Sequence, residues 1–110
     1  MSYNIRKWIG IVKRVFISQP MKDKKDEEIL EERNKITLLL KEKYGEDIEI
    51  IDSFFQDSPH DARPLWFLGK SLELLSTADL AVFAKGWLGA RGCIIEHECC
   101  LRYGIEIGEF

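Results

Sequence analysis

Short β-branched and aromatic runs alternate with segments whose apolar residues recur every third or fourth position, and this alternation leaves few folds open. Val12 to Ser18 reads as a first strand with Val15, Phe16 and Ile17 as its buried run. Pro20 ends it by removing a ladder donor. From Asp26 to Tyr44 the residues Ile29, Leu30, Ile36, Leu39, Leu40 and Tyr44 keep helical spacing. Asp23 or Asp26 can cap that helix and Gly45 can stop it. Glu27, Glu28, Glu31 and Glu32 precede Lys35, Lys41 and Lys43, the order the helix dipole favours, so this charge run reads as a solvated face. Ile48 to Ile51 is a second, short strand. Leu65 to Thr77 is a second helix with Leu68, Leu72 and Leu75 inward, and Leu80 to Ala84 is a third strand. A last helix runs to Tyr103-Gly104, followed by a short strand over Ile105 to Ile107. Strands alternating with helices predict an α/β sandwich: a mainly parallel sheet of four to five strands with helices on both faces.

At 110 residues the chain reads as one domain spanning 1–110. Residues 1–11 form an uncertain N-terminal extension, in which Ile5, Trp8 and Ile9 fit a short amphipathic turn or an extra edge strand. Apolar residues make up 45% and charged residues 32%, a globular rather than disordered balance. The net charge of -3 supplies no broad basic footprint, which argues against duplex nucleic acid and leaves room for a small anionic metabolite. No apolar run approaches the roughly 18 residues of a membrane span, so no membrane partner is expected. Met1 to Gly10 has no apolar core of signal-peptide length. Cys93, Cys99 and Cys100 are odd in number and share one helix, which reads as reduced thiols in a cytoplasmic protein. They lack the paired spacing of a zinc site, and Cys99 and Cys100 read as small core residues. The loop from Asp52 to Pro64 is long for a compact domain. Its His60-Asp61 pair fits either acid–base or metal chemistry or a plain surface turn.

In parallel sheets, ligands collect beyond the carboxyl ends of the strands. Two stretches fall there, Ser18 to Met21 and Lys85 to Gly92. Gly86, Gly89 and Gly92 permit close backbone approach, the following helix start offers free N–H groups to an anion, and Arg91 adds a phosphate-matching fork. The spacing is not the dinucleotide fingerprint. Helical stepping from Gly92 collects Ile95, Glu96, Cys99 and Tyr103 on one face, expected to lie against the sheet. Glu96 is the exception on that stripe, because a carboxylate there is costly unless something pairs with it. It suits glycosyl chemistry, in which a carboxylate attacks or stabilises an electron-poor anomeric carbon. A salt bridge to Arg91, Lys85 or Arg102, or a helix phase one residue off, would account for it equally. Trp87 fits either a stacking platform for a nucleobase or a plug that keeps water from the loop. Ile94 and Leu101, among exposed charges on the other face, point to a subunit contact.

These motifs resemble the nucleoside 2-deoxyribosyltransferase-like superfamily. Phe16-Ile17-Ser18-Gln19-Pro20-Met21 is similar to its first-strand turn. Ala78-Asp79, Leu80 to Ala84, Gly86-Trp87, Gly92 with Glu96, and Tyr103-Gly104 are similar to its C-terminal half. The run from Leu65-Trp66-Phe67-Leu68-Gly69-Lys70-Ser71-Leu72 through Glu96-His97-Glu98 resembles a short branch of unassigned function, common in phages, prophages and Gram-positive bacteria. The resemblance extends from Val15 to Ile107 and implies a flavodoxin-like α/β sandwich that assembles as a homodimer or higher homo-oligomer. It implies an N-glycosidase or deoxyribosyltransferase that cleaves or transfers the N-glycosidic bond of a nucleoside or nucleoside 5′-monophosphate. Glu96 would be the nucleophile, with Asp79 as a second catalytic position, although the order of the chain puts Asp79 at the end of its strand away from direct chemistry. Ser18, Gln19, Pro20, Met21, Gly86, Trp87, Arg91 and Gly92 would bind substrate, with no metal or organic cofactor. Three positions depart from the family: Gln19 replaces a usual glycine, Ala90 a phosphate-binding serine of the nucleotide hydrolases, and Ser71 an aspartate of many transferases. A non-catalytic protein that binds or sequesters a nucleotide signal is the alternative.

Overall fold

The computed structural model describes residues 12–110. The expected turn or edge strand over residues 1–11 lies outside them. The elements are β1 (Arg14–Ser18), α1 (Asp26–Tyr44), β2 (Glu49–Ile50), α2 (Pro64–Leu75), β3 (Leu80–Phe83), α3 (Arg91–Tyr103) and β4 (Glu106–Gly108). A 3-10 turn over Trp87–Gly89 joins β3 to α3. The sheet has four strands in the order β2-β1-β3-β4, every pair parallel. It lies between helix layers as in a flavodoxin-like three-layer sandwich. The chain reverses its direction of travel across the sheet between β1 and β3, which makes the crevice above their carboxyl ends the natural ligand position.

Strand parity divides the core. Val15 and Ile17 of β1 pack with Leu80, Val82 and the α1 residues Ile36 and Leu40. Phe16, pointing the other way, packs with Ala81, Leu75 of α2 and Cys100 of α3. One helix therefore covers one face and two cover the other. Among the described residues no helix is long and apolar enough to cross a membrane.

Helix ends differ in detail from expectation. The residue before α1 is Lys25, whose amide donates to Glu28 Oε1 at 2.9 Å, so neither Asp23 nor Asp26 caps it. Asp26 is already helical, and Asp23 stands in the preceding turn with φ 63°. Asp is among the residues that tolerate this left-handed conformation. The buried stripe of α1 is Ile29, Arg33, Ile36 and Leu40, while Leu30 and Leu39 are exposed. An arginine thus occupies an inward position, and two leucines counted as inward do not. α2 begins at Pro64, which suits the first helical turn because its missing N–H has no partner to lose there. Only Leu75 of its expected stripe is fully buried.

Asp79 fastens the opposite end of the sheet from the crevice. Its Oδ2 accepts from the amides of Lys13 and Arg14 at 3.0 and 2.9 Å, and its own amide donates to the Arg14 carbonyl. The carboxylate therefore closes the amino end of the β1–β3 ladder. Asp79→Ala is expected to cost about 1–3 kcal/mol by leaving these donors without their acceptor, read as a lower urea midpoint with an unchanged slope.

Candidate functional site

The same parity that builds the core aims the site residues. Ser18 follows Phe16 by two and so faces α2 and α3; Gln19 follows Ile17 by two and so faces α1. Ser18 is buried, and its hydroxyl donates to Glu96 Oε1 at 2.6 Å. Ser71 of α2 is a second hydroxyl that favours the charged form of this carboxylate. Glu96 is 7% exposed. Burial pushes its carboxyl above the usual carboxylate range, against the opposing pull of the Ser18 and Ser71 hydrogen bonds. No ion pair forms at Glu96 among the described residues, and Arg102 pairs instead with Glu98 one turn away. The salt-bridge account of Glu96 is thereby set aside.

The stripe that carries Glu96 is Cys93, Glu96 and Cys100, not Gly92, Ile95, Glu96, Cys99 and Tyr103. Ile95 is 40% and Tyr103 81% exposed. Both stripes share Glu96, and the true one passes on its other side. Cysteine is small enough to let the helix settle closely over Phe16 and Ala81, and larger side chains are turned outward. Burial pushes the Cys100 thiol up to about 11, with Cys99 and Glu96 adding to the shift. The Cys93 thiol is raised mainly by burial as well, while a hydrogen bond with Ser18 pulls the other way. These thiols are therefore not activated nucleophiles.

A cavity of about 680 Å³ opens over this group at the carboxyl ends of β1 and β3. Its wall includes Ser18, Gln19, Pro20, Met21, Gly86, Arg91, Gly92 and Glu96, so eight residues separated by up to 78 positions meet in one place. Lys22, Asp23 and Cys93 also line it and were not singled out from sequence. Gly86 has φ 89°, and a Cβ there would stand 3.9 Å from Pro20, so the two loops meet closely at this point. A Cβ at Gly92 would meet nothing within 4 Å, so glycine at the helix start leaves room beside the carboxylate.

Three expected site residues stand elsewhere or act differently. Asp79 is at the far end of its strand, fastening β1. Trp87 is not part of the cavity wall. Its ring stacks on His97 at 4.1 Å and 14° and touches Phe83, beside a separate hollow next to β4. It therefore serves neither as a base platform in this cavity nor as its plug. The Gln19 side chain is turned away from the cavity: its Nε2 donates to the Ile29 carbonyl at 2.8 Å and to Glu32 at 3.0 Å. Its Oε1 accepts from Arg33 at 3.2 Å. Gln19 thus ties the turn to α1. His60 and Asp61 are exposed in a turn.

Arg33 is the residue that sequence reading missed. It is 7% exposed and donates to Gln19, the Ile51 carbonyl and Ser53 Oγ. Ser53 in turn reaches the Ile17 carbonyl. Burial lowers the guanidinium from its ordinary value and the charge of Asp52 raises it again. Its position in line with Ile29, Ile36 and Leu40 was the available signal.

Compared with protein-family models, curated proteins and solved structures, the chain finds no match.

Proposed function

We propose that the cavity binds a nucleoside or nucleoside 5′-monophosphate and that Glu96 attacks its anomeric carbon, as the resemblance to the nucleoside 2-deoxyribosyltransferase-like superfamily implies. The observation that carries this reading is the buried Glu96 itself. It faces a cavity within the roughly 300–1,000 Å³ of small-molecule sites, held by the Ser18 hydroxyl and paired with no cation among the described residues. A carboxylate placed for structure alone would be expected to meet a positive partner.

In this reading a Glu96 oxygen forms a bond to C1′ as the bond from C1′ to the base nitrogen breaks. Water or a second base then displaces the carboxylate. Ser18 and Ser71 keep the nucleophile oriented and favour its ionised form. Arg91, Lys22 and the free amides at the α3 start supply the anion-binding end, with Arg91 in place of the serine that Ala90 replaces. Ile94 and Leu101, 43% and 62% exposed on α3, are proposed as a contact between copies.

The test is base release from a panel of nucleosides and nucleoside 5′-monophosphates, followed chromatographically. Turnover should rise with pH as Glu96 loses its proton, with a midpoint above the usual carboxylate range because burial raises it. Ser18→Ala should move that midpoint further up and lower kcat by about 10- to 100-fold, since it removes a hydrogen bond to the charged form. An unchanged pH midpoint in this variant would show that Glu96 is not the titrating group. Binding without any base release would transfer the site to a nucleotide-binding protein.

A further inference from the structure

Among the described residues, the cavity wall sets no sheltered acid beside Glu96, the proposed nucleophile, to protonate a departing base. The Ser18 hydroxyl donates to the carboxylate itself, so its proton is committed to holding the nucleophile, and Ser71 is not part of the wall. Cys93 lies on the same helical stripe three residues before Glu96, and burial raises its thiol, which makes it a weak proton donor. Glu96 and Asp23 are the carboxylates of the wall. Asp23 is exposed on the outer loop, whereas a general acid acts from where the departing group is held and water is excluded. The other charges of the wall are Lys22 and Arg91, which match a phosphate.

This arrangement limits which glycosidic bonds Glu96 can break. A neutral purine or pyrimidine leaves as an anion unless it is protonated. A base that already carries a positive charge on its ring leaves as a neutral molecule. We infer that the substrates are N-glycosides of cationic bases, such as pyridinium or N7-alkylated purine nucleotides, an inference that rests on Glu96 being the nucleophile. In the first step a Glu96 oxygen donates an electron pair to C1′. The pair of the C1′–N bond goes to the base nitrogen, which cancels the positive charge on the ring, and no proton moves. In the second step water attacks C1′, the carboxylate is released, and the water's proton passes to solvent. The negative charge of Glu96 also attracts the cationic base in the bound state, across an interior of low dielectric.

The experiment compares guanosine 5′-monophosphate with 7-methylguanosine 5′-monophosphate, each in ribose and 2′-deoxyribose form. Nicotinamide mononucleotide serves as a second cationic donor. Wild-type protein is used throughout, with enzyme-free controls subtracted and base release read chromatographically. A general acid contributes about 10²–10⁴-fold, so its absence predicts kcat/KM at least about a hundredfold higher for the cationic donors than for guanylate. Release from either cationic donor with that preference supports the inference. Cleavage of guanylate at a rate equal to its methylated counterpart overturns it and leaves the glycosyl reading standing. Release from none of these donors overturns both.

Discussion

In the proposed glycosyl reaction, Glu96→Ala is expected to lower kcat by about a thousandfold or more while leaving the protein folded. A nucleophile removed from a covalent route takes its intermediate with it, so the remaining rate is what binding alone supports. The fold should survive because the carboxylate faces the cavity and its burial already disfavours the charged form. Circular dichroism should stay that of the parent while chromatographic base release disappears. Persistence of release within tenfold of wild type would remove Glu96 from the mechanism.

Glutamine at the same position separates chemistry from stability. Its amide oxygen can still accept from Ser18, but no charge is buried. The Glu96 carboxyl has a folded-state pKa above its unfolded one, so the folded protein holds this proton more tightly. Stability contributed by that proton is present below the unfolded value and is lost as pH rises through the raised folded value. Glu96→Gln should therefore show a melting-temperature advantage over wild type that grows with pH across this window and then levels off. An advantage that shrinks with rising pH would contradict the direction of the shift. A site residue whose replacement stabilises the fold is the expected mark of a group held for function.

Methionine at position 33 should give the largest loss of stability. It retains most of the aliphatic stem and removes the guanidinium, leaving Gln19 Oε1, the Ile51 carbonyl and Ser53 Oγ without their donor in a buried place. Each abandoned acceptor costs about 1–3 kcal/mol, so a total of about 3 kcal/mol or more is expected. For a domain of this size that corresponds to a fall in Tm on the order of 10–20 °C. Because Gln19 is part of the β1–α1 turn, the loop that supplies Pro20 and Met21 to the cavity should loosen as well. Amide hydrogen exchange would register this as faster exchange at Met21 and Lys22 than the global loss of stability explains. A change in Tm under about 3 °C would mean that the network is replaceable by packing.

Much of the architecture was legible because it follows from periodicity. The α1 boundaries, Asp26 and Tyr44, agree with expectation, and the end of α3 at Tyr103 does too. Gly104 then adopts φ 74°, with its amide donating to the Cys100 carbonyl. Pro20, Gly45 and Gly104 act on the chain around them, so their effect can be read without knowing what lies across the sheet. The position of Glu96 at the mouth of a strand-to-helix loop was legible for the same reason. Its helical phase was not. Gly92, Ile95 and Tyr103 fitted a stripe as well as Cys93 and Cys100 did, and helical spacing does not say which side meets the sheet.

The order of strands and helices, and with it a parallel sheet with a crevice at its carboxyl end, was determined by the sequence alone. Periodicity and turn chemistry are local, and a parallel sheet satisfies them with few alternatives. Tertiary structure decided what each polar side chain meets. It put Ser18 on Glu96, and it turned Gln19 toward Arg33. It also gave Asp79 the amides of Lys13 and Arg14 and stacked Trp87 on His97 outside the cavity. These partners lie far apart in sequence, and the free energy of a buried polar group depends on the atoms that reach it across the fold.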